Sequence, residues 1–371
     1  MSTYAHITGW GTAVPPIIRT NHDIAMTVDT SDEWIQTMTG IKERHIAGKE
    51  QSTASLGAEA SLRALSMANL SPDKLDLIIC STSSPEHIFP ATACLIQDKI
   101  GAVNAGAFDL LAACTGFIFA INMAAQSIRS GAIKSALVIG SETLSRITNW
   151  QDRNTCILFG DGAGAFVLQA SDQPGGVLSA VMRSDGSGGD LLTLPAGGSK
   201  YPTSAETLEK GLHYIQMNGR EVFRFATRVM AQATREVVEA ANLKIEDLKL
   251  VIPHQANFRI IEAAARGLDL PLEKFVINLE RYGNTSTASI PLAACEAAAD
   301  GRLQAGDKIV FVGFGSGLTW GALAVEWSGP FQIERQVKIQ RYLWLAHMRS
   351  FLRRIIRRLE GWIWGRDNPS K

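Results

Sequence analysis

A chain of 371 residues with 46% hydrophobic and 19% charged residues has the balance of a folded protein with a large core, which excludes global disorder. Its formal net charge is zero, from 36 Lys+Arg against 36 Asp+Glu, but the zero is a cancellation. Residues 331–371 hold ten basic and three acidic residues, so this tail carries +7 and residues 1–330 carry −7. Such a division points to a surface-binding appendage on an acidic body.

The opening MSTYAHITGWG lacks the basic start and apolar core of a signal peptide. A helical pattern over 53–68 precedes an apolar run, LDLIICSTS (75–83), that predicts a buried strand. FDLLAA (108–113) is strand-like and leads into Cys114-Thr115-Gly116, after which a helical pattern runs through Ser127. The apolar stretch from Leu110 to Ile121 is too short to span a membrane and reads as a buried element. Further strands are predicted at 134–142, 248–255 and 307–315, with a helix over 220–241. The alternation predicts an α/β protein whose helices cover central sheets.

A second regularity sharpens the fold. Ala68-Asn69-Leu70, Leu75 and Leu77 recur 173 residues later as Ala241-Asn242-Leu243, Leu248 and Leu250. The same offset carries Leu137–Gly140 onto Val310–Gly313. Solenoid repeats have much shorter periods, so the pattern predicts two similar halves packed face to face. They are 1–172 and 173–330, followed by the tail, 331–371.

Five cysteines (Cys80, Cys94, Cys114, Cys156, Cys295) are scattered without a CxxC pair. An odd, unclustered set in apolar surroundings points to a reducing, cytoplasmic compartment and away from zinc or a disulfide scaffold. Cys114 stands out, because a turn before a helix places its sulfur where the helix dipole and free N–H groups favour thiolate. The small neighbours Ala112, Ala113 and Gly116 leave room for a substrate; the competing reading is a packed core thiol. His254 follows a buried strand in LVIPHQANFRI, where α/β folds present functional groups, although a lone His there is more often structural. Asn284, in RYGNTSTASIP, alone reads as a turn or helix cap. Together the three suit thioester chemistry: a thiolate accepts an acyl group, and His and Asn donors hold a developing oxyanion. The glycine-rich GFGSGLTWG (313–321) lacks the spacing of a phosphate loop and reads as a strand-connecting turn with N–H groups near that site.

From about Ile7 to Trp327 the chain resembles the β-ketoacyl-acyl carrier protein synthase III enzymes of the thiolase-like superfamily. The resemblance rests on VDTSDEWI and TGIKERHI (28–46), AACTGF (112–117), FGDGAGA (159–165), PHQAN (253–257), GNTSTASIP (283–291) and GSGLTWG (315–321). It implies a five-layered α/β/α/β/α fold of two duplicated halves and a homodimer in the cytoplasm. It implies that Cys114 is acylated by an acyl-CoA, and that malonyl-acyl carrier protein then loses carbon dioxide. His254 and Asn284 would stabilise the enolate, giving a 3-ketoacyl thioester that starts fatty-acid synthesis. No metal and no permanently bound cofactor are implied. Backbone N–H groups of Cys114 and Ser316 correspond to the oxyanion hole; family members often have Gly at the position of Ser316.

The resemblance also assigns acyl-CoA contacts. Trp34 and Arg153 correspond to the pair that holds the adenine, with Thr30 nearby, and Asn257 and Arg259 lie along the pantetheine entrance. Where the family pattern has Arg, four residues after the Trp, this chain has Met38. Arg224, Arg259 and Arg266 form the expected basic patch for an acidic carrier protein. Phe89 corresponds to a Phe that enters the partner subunit's acyl pocket, which Leu144 and Phe159 would line. A specialised synthase with a longer or branched starter is the alternative, and a non-catalytic acyl-thioester scaffold a third.

The tail falls outside the resemblance. On a helical wheel Leu345, Met348, Phe351, Leu352, Ile355, Ile356, Leu359 and Trp362 share an arc of about 140°. Arg349, Arg353, Arg354, Arg357 and Arg358 fill the rest, and Trp344 and Trp364 flank the segment. A basic amphipathic helix with flanking Trp, over 340–364, predicts peripheral contact with an anionic membrane, on its inner face. The competing reading is a helix docked on the acidic body, or at a dimer contact, that buries the same stripe. Nucleic acid fits poorly, since the body is acidic and carries no recognition motif.

Overall fold

The structure, a computed structural model, describes residues 3–330 and 339–363. In chain order the strands are β1 (Tyr4–Ala13), β2 (Ile17–Thr20), β3 (Glu43–Ile46), β4 (Leu77–Ser81), β5 (Gly106–Leu110), β6 (Ser135–Glu142) and β7 (Gly162–Ser171). Then come β8 (Gly176–Ser184), β9 (Leu192–Thr193), β10 (Gln216–Met217), β11 (Leu250–Pro253), β12 (Lys308–Gly315) and β13 (Thr319–Glu326). The helices are α1 (Asn21–Ala25), α2 (Asp32–Thr39), α3 (Thr53–Met67), α4 (Thr92–Ile100), α5 (Gly116–Arg129) and α6 (Arg153–Cys156). They continue with α7 (Ala205–Glu209), α8 (Gly219–Ala240), α9 (Phe258–Leu268), α10 (Leu279–Tyr282), α11 (Ser289–Ala299) and α12 (Ile339–Ile363).

Two sheets organise the body. One has the order β1-β7-β6-β4-β5 and the other β11-β12-β13-β8. Side chains alternate across a strand, so a strand buried on both faces feeds two cores. In β6, Ala136 and Val138 join the core that holds α5 and α11, whereas Leu137 and Ile139 join the core beneath α3 and α4. In β12, Ile309 and Phe311 face α5 and α11, and Val310 and Val312 face α8 and α9. The layers are therefore helix, sheet, helix, sheet, helix, as the sequence led us to expect. The apolar runs read as strands without alternation because both of their faces are covered.

The offset of 173 extends well beyond the residues that revealed it. β6 begins at Ser135 and β12 at Lys308; α5 begins at Gly116 and α11 at Ser289. α3 and α8 end the same way. Asn69 and Asn242 take left-handed φ angles of 50° and 55°. Leu70 N–H then bonds Leu65 O at 3.1 Å, and Leu243 N–H bonds Val238 O at 3.0 Å. This is a six-to-one closure that Asn tolerates at a helix end.

α12 forms where the tail's apolar periodicity placed it, and it docks on α4 by the face opposite its apolar stripe. Leu343 is buried in the core beneath α3 and α4. His347 Nε2 donates to Lys99 O at 3.0 Å, and Ser350 Oγ donates to Asp98 Oδ1 at 2.7 Å. Leu345, Met348, Phe351, Leu352, Ile355, Ile356 and Leu359 all remain 36% or more exposed. Docking therefore spends the small and polar face, Leu343 excepted. Trp364 and the side chain of Trp362 lie outside the described residues. No helix among the described residues is long and apolar enough to cross a membrane.

Candidate active site

β12 gathers the thiol and the imidazole. A Cβ at Gly313 would lie 3.3 Å from His254 Cβ, and one at Gly315 would lie 2.8 Å from Cys114 N. Positions two apart share a strand face and stand about 7 Å apart, so the two groups meet along one edge. Gly315 is glycine because any side chain would strike the Cys114 backbone.

Residues 284–289 tie the rest together. The Ser286 hydroxyl lies close enough to the Cys114 thiol to oppose the rise of its pKa, and Ser286 N–H donates to Asn284 Oδ1 at 2.8 Å. That bond consumes the amide oxygen and leaves the Asn284 NH₂ as the donor. Ser289 Oγ lies 2.7 Å from His254 Nδ1 and accepts from Gln255 N–H at 3.3 Å. The Nε2–H tautomer is the one in which the Ser289 hydroxyl donates to Nδ1. Nε2 is buried and has no partner. Burial pushes the His254 pKa down to about 3, so the ring is neutral. In that tautomer His254 Nε2–H and the Asn284 NH₂ are both available as N–H donors.

The thiol itself departs from the sequence expectation. Cys114 does sit in a turn immediately before α5, with only 7% exposure. Burial nevertheless pushes its pKa up to about 12, with Glu142 adding to the rise and the Ser286 hydroxyl opposing it. Desolvation outweighs the helix end, and the resting thiol is protonated. Glu142 escaped the sequence reading. It closes the apolar run of β6 and is fully buried. It accepts from Ser83 N–H and Ser84 N–H at 3.1 Å and from Ser84 Oγ at 2.5 Å. Burial still lifts its pKa to about 7. An acidic residue ending an otherwise apolar strand was the available signal. Gln255, by contrast, is a bracket: its amide holds Pro253 O, Val276 O and Asn278 N–H.

The other expected residues fall into three groups. Arg153 lies on the Trp34 indole, its guanidinium carbon 4.1 Å from the ring centroid, so the two stack directly rather than standing apart. The Thr30 hydroxyl is buried without a partner. Asn257 is partly occupied: Oδ1 caps α9 through Arg259 N–H, and Nδ2 donates to Met38 O at 2.9 Å. Arg259 lies over Phe223 and reaches Met38 Sδ at 4.0 Å, approaching the position where the family pattern has Arg. Leu144 and Phe159 pack together with Ile215, which the sequence reading did not single out. Phe89 is 84% exposed and takes no part in that cluster. Arg224 pairs with Glu221 at 3.3 Å, and Arg266 borders a surface cavity beside Glu262 and Asp269. Ser316 follows Gly315, and its hydroxyl bonds Leu192 O. All five cysteines are free, and Cys94 is exposed rather than in the core. Among the described residues no cluster of three His, Cys, Asp or Glu is placed to hold a metal.

Residues 108–186 and 238–327 match the models for 3-oxoacyl-[acyl-carrier-protein] synthase III and its C-terminal part. The beta-ketoacyl-[acyl-carrier-protein] synthase III of Desulfitobacterium hafniense is 54% identical over 322 residues, 87% of this chain and 97% of that protein. The chain belongs to this family. Among solved structures, 3-oxoacyl-[acyl-carrier-protein] synthase III from Aquifex aeolicus superposes with a TM-score of 0.81 at 46% identity, over 87% of this chain and all of that one. The priming β-ketosynthase of the R1128 polyketide pathway gives 0.82 at 34% identity, covering 89% and 98%. Relatives matched over nearly their whole length leave about an eighth of this chain unmatched, and the C-terminal family match stops at 327. α12 lies beyond it.

Proposed function

We propose that this synthase III family member starts acyl-chain synthesis by condensing an acyl-CoA with malonyl-acyl carrier protein through a Cys114 acyl-enzyme. The observation that carries the reading is the single turn, 284–289, in which the Ser289 hydroxyl meets His254 Nδ1 and Ser286 N–H fixes the Asn284 amide, with β12 bringing Cys114 alongside at Gly315. In the first step Cys114 attacks the acyl-CoA carbonyl, a Cys114 thioester forms, and the proton leaves with CoA as its free thiol. N–H groups of Cys114 and Ser316 hold the tetrahedral oxyanion. In the second step malonyl-acyl carrier protein loses carbon dioxide. The resulting enolate oxygen is held by His254 Nε2–H and the Asn284 amide. Its carbon attacks the acyl thioester, and the Cys114 thiolate leaves and regains a proton. A neutral His254 suits this task, since a donor is needed and no proton need move.

Leu144, Phe159 and Ile215 form the floor for the starter acyl chain. Trp34, Arg153 and Thr30 take the nucleotide end of CoA, with Arg153 swinging off the indole to admit the adenine. Arg259 and Asn257 flank the pantetheine, and Arg224, Arg259 and Arg266 face the carrier protein. The two halves, 1–172 and 173–330, supply Cys114 and the His254–Asn284 pair respectively. A homodimer fits the edge strand β5, around which Phe108, Leu111, Ile88 and Phe89 are exposed; Phe89 then enters the partner's pocket. α12 rests on an anionic membrane surface through its exposed apolar stripe.

The test is incubation with a panel of radiolabelled acyl-CoAs, with and without malonyl-acyl carrier protein. Label retained by the wild type and not by Cys114→Ala, then chased into a 3-ketoacyl product, is the expected result. No acylation across the panel would sink the reading. For the tail, the full chain should sediment with phosphatidylglycerol vesicles and a Phe351→Ser/Ile355→Ser variant should not.

A further inference from the structure

The docked face of α12 encloses something besides helix contacts. Between it and α4 lies a cavity of about 420 Å³, on whose wall Arg349, Arg353, Arg354 and Arg357 converge with Asp98 and Ser350. Four arginines and one aspartate line it. That carboxylate is already engaged: Asp98 accepts from Ser350 Oγ at 2.7 Å and pairs with Arg354 at 3.7 Å. Arg349, Arg353 and Arg357 have no ion pair among the described residues. Like charges gathered this way repel one another. An anion with several acceptor oxygens resolves that, because guanidinium forks match phosphate geometry and make charge-assisted bonds.

The cavity's position selects the anion. At 100° per residue the docked face, centred near Leu343, points roughly 160° away from the middle of the apolar stripe. Arg349 and Arg353 follow the stripe's edge at Ile356 by about 20° and 60° on the same wheel. An anion held there has acyl-sized apolar surface beside it. A second copy of this chain is a poor occupant, since residues 339–363 hold six arginines and one glutamate and two such helices repel. We propose that the cavity between α12 and α4 binds the phosphate headgroup of an anionic phospholipid whose acyl chains lie along the apolar stripe. The proposal rests on the membrane reading of α12 and names its ligand.

The experiment uses the full chain. Binding is measured to vesicles of phosphatidylcholine alone and of phosphatidylcholine doped with phosphatidylglycerol, for the wild type, Arg353→Gln and Arg358→Gln. Both variants lose one charge from the same helix, but Arg358 does not line the cavity. Diffuse attraction is worth about fivefold per arginine near a charged surface, and Arg358→Gln should cost about that. Loss of a charge-assisted bond is worth tenfold or more, so Arg353→Gln should cost clearly more on the doped vesicles and nothing on phosphatidylcholine. Equal losses overturn the headgroup site while leaving membrane contact standing. Failure of the wild type to bind either vesicle sinks the membrane reading and this proposal with it. In that event calorimetric titration with inorganic phosphate, bound by the wild type and lost in Arg353→Gln, would reassign the cavity to a free anion. Unchanged Cys114 acylation in both variants shows that the body remains folded.

Discussion

Two turns, one in each half, have the same backbone and opposite equipment. Residues 112–116 lead into α5, and residues 285–289, 173 positions later, lead into α11. Ala113 has φ 47° and Ser286, its counterpart, 49°. The first turn reads Ala-Ala-Cys-Thr-Gly and the second Thr-Ser-Thr-Ala-Ser. The first is bare around its thiol, and the second is dressed with hydroxyls. A Cβ at Gly116 would lie 1.9 Å from Ser81 Oγ, whereas its counterpart Ser289 has room to hold His254. Duplication supplied the same helix-entry turn twice. The copies differ in side chains: the first carries the Cys114 thiol, and the second carries Ser289, which holds His254, and Ser286, whose N–H holds Asn284. Chemistry sits where the two copies differ, and stability where they agree.

The largest expected effect comes from breaking each side in turn. Cys114→Ala removes the atom proposed to carry the acyl group, so acylation and condensation should both vanish. Asn284→Ala leaves the thiol in place. Acylation should survive, while condensation from the preformed acyl-enzyme falls by about 10²–10³-fold, as for loss of an oxyanion donor. Single-turnover assays separate the steps. Equal losses in both would show that the second turn serves acyl loading as well, and the division of labour would fail.

Glu142, buried where the raised Cys114 pKa feels its charge, gives the next effect through its titration. Its folded pKa of about 7 lies above the ordinary glutamate value of 4.5. The native state therefore holds this proton more tightly, and the stabilisation is complete below pH 4.5 and lost as pH rises through 7. His254, with a folded pKa of about 3 against 6.5, acts oppositely: it costs stability as pH falls below 6.5. The two partly offset one another in the wild type. Glu142→Gln removes only the first, so its stability relative to wild type should rise by about 3 kcal/mol between pH 4.5 and 7. Urea unfolding at several pH values measures this. A difference that stays flat with pH would mean that Glu142 is ionised throughout.

Much of this was legible beforehand, for physical reasons. The sheets were visible because strands with two covered faces are continuous apolar runs, and the halves because Asn69 and Asn242 end helices identically. Cys114 and His254 stood out as candidates at a turn and a strand exit, whereas Asn284 alone read as a turn or cap and joined them only through their combined chemistry and the family resemblance. The raised thiol pKa was not, because desolvation depends on what surrounds a group and not on its neighbours in sequence. Ser289 did not stand out in the sequence, because only the folded chain brings its hydroxyl to His254 Nδ1. The helical wheel found the stripe on α12, but it could not say which face docks. That depended on Gly101, whose missing side chain lets Ala346 approach: a Cβ there would lie 2.4 Å from Ala346 Cβ.

The smallest effect probes the comparison most directly. Thr287 is the counterpart of Cys114, yet it is fully buried and donates to Ser81 Oγ at 2.9 Å. If the turn backbone alone made a nucleophile, a thiol at 287 would work as one at 114 does. The surroundings argue otherwise: position 287 faces packed structure, and its Oγ1 is committed to Ser81. In a Cys114→Ala background, Thr287→Cys should take up no acyl label. Its cost to stability should be about 1 kcal/mol, the worth of one neutral hydrogen bond, read from the denaturation midpoint. Acylation of that thiol would show that the second turn retains access to substrate, and that the halves differ in side chain rather than in exposure.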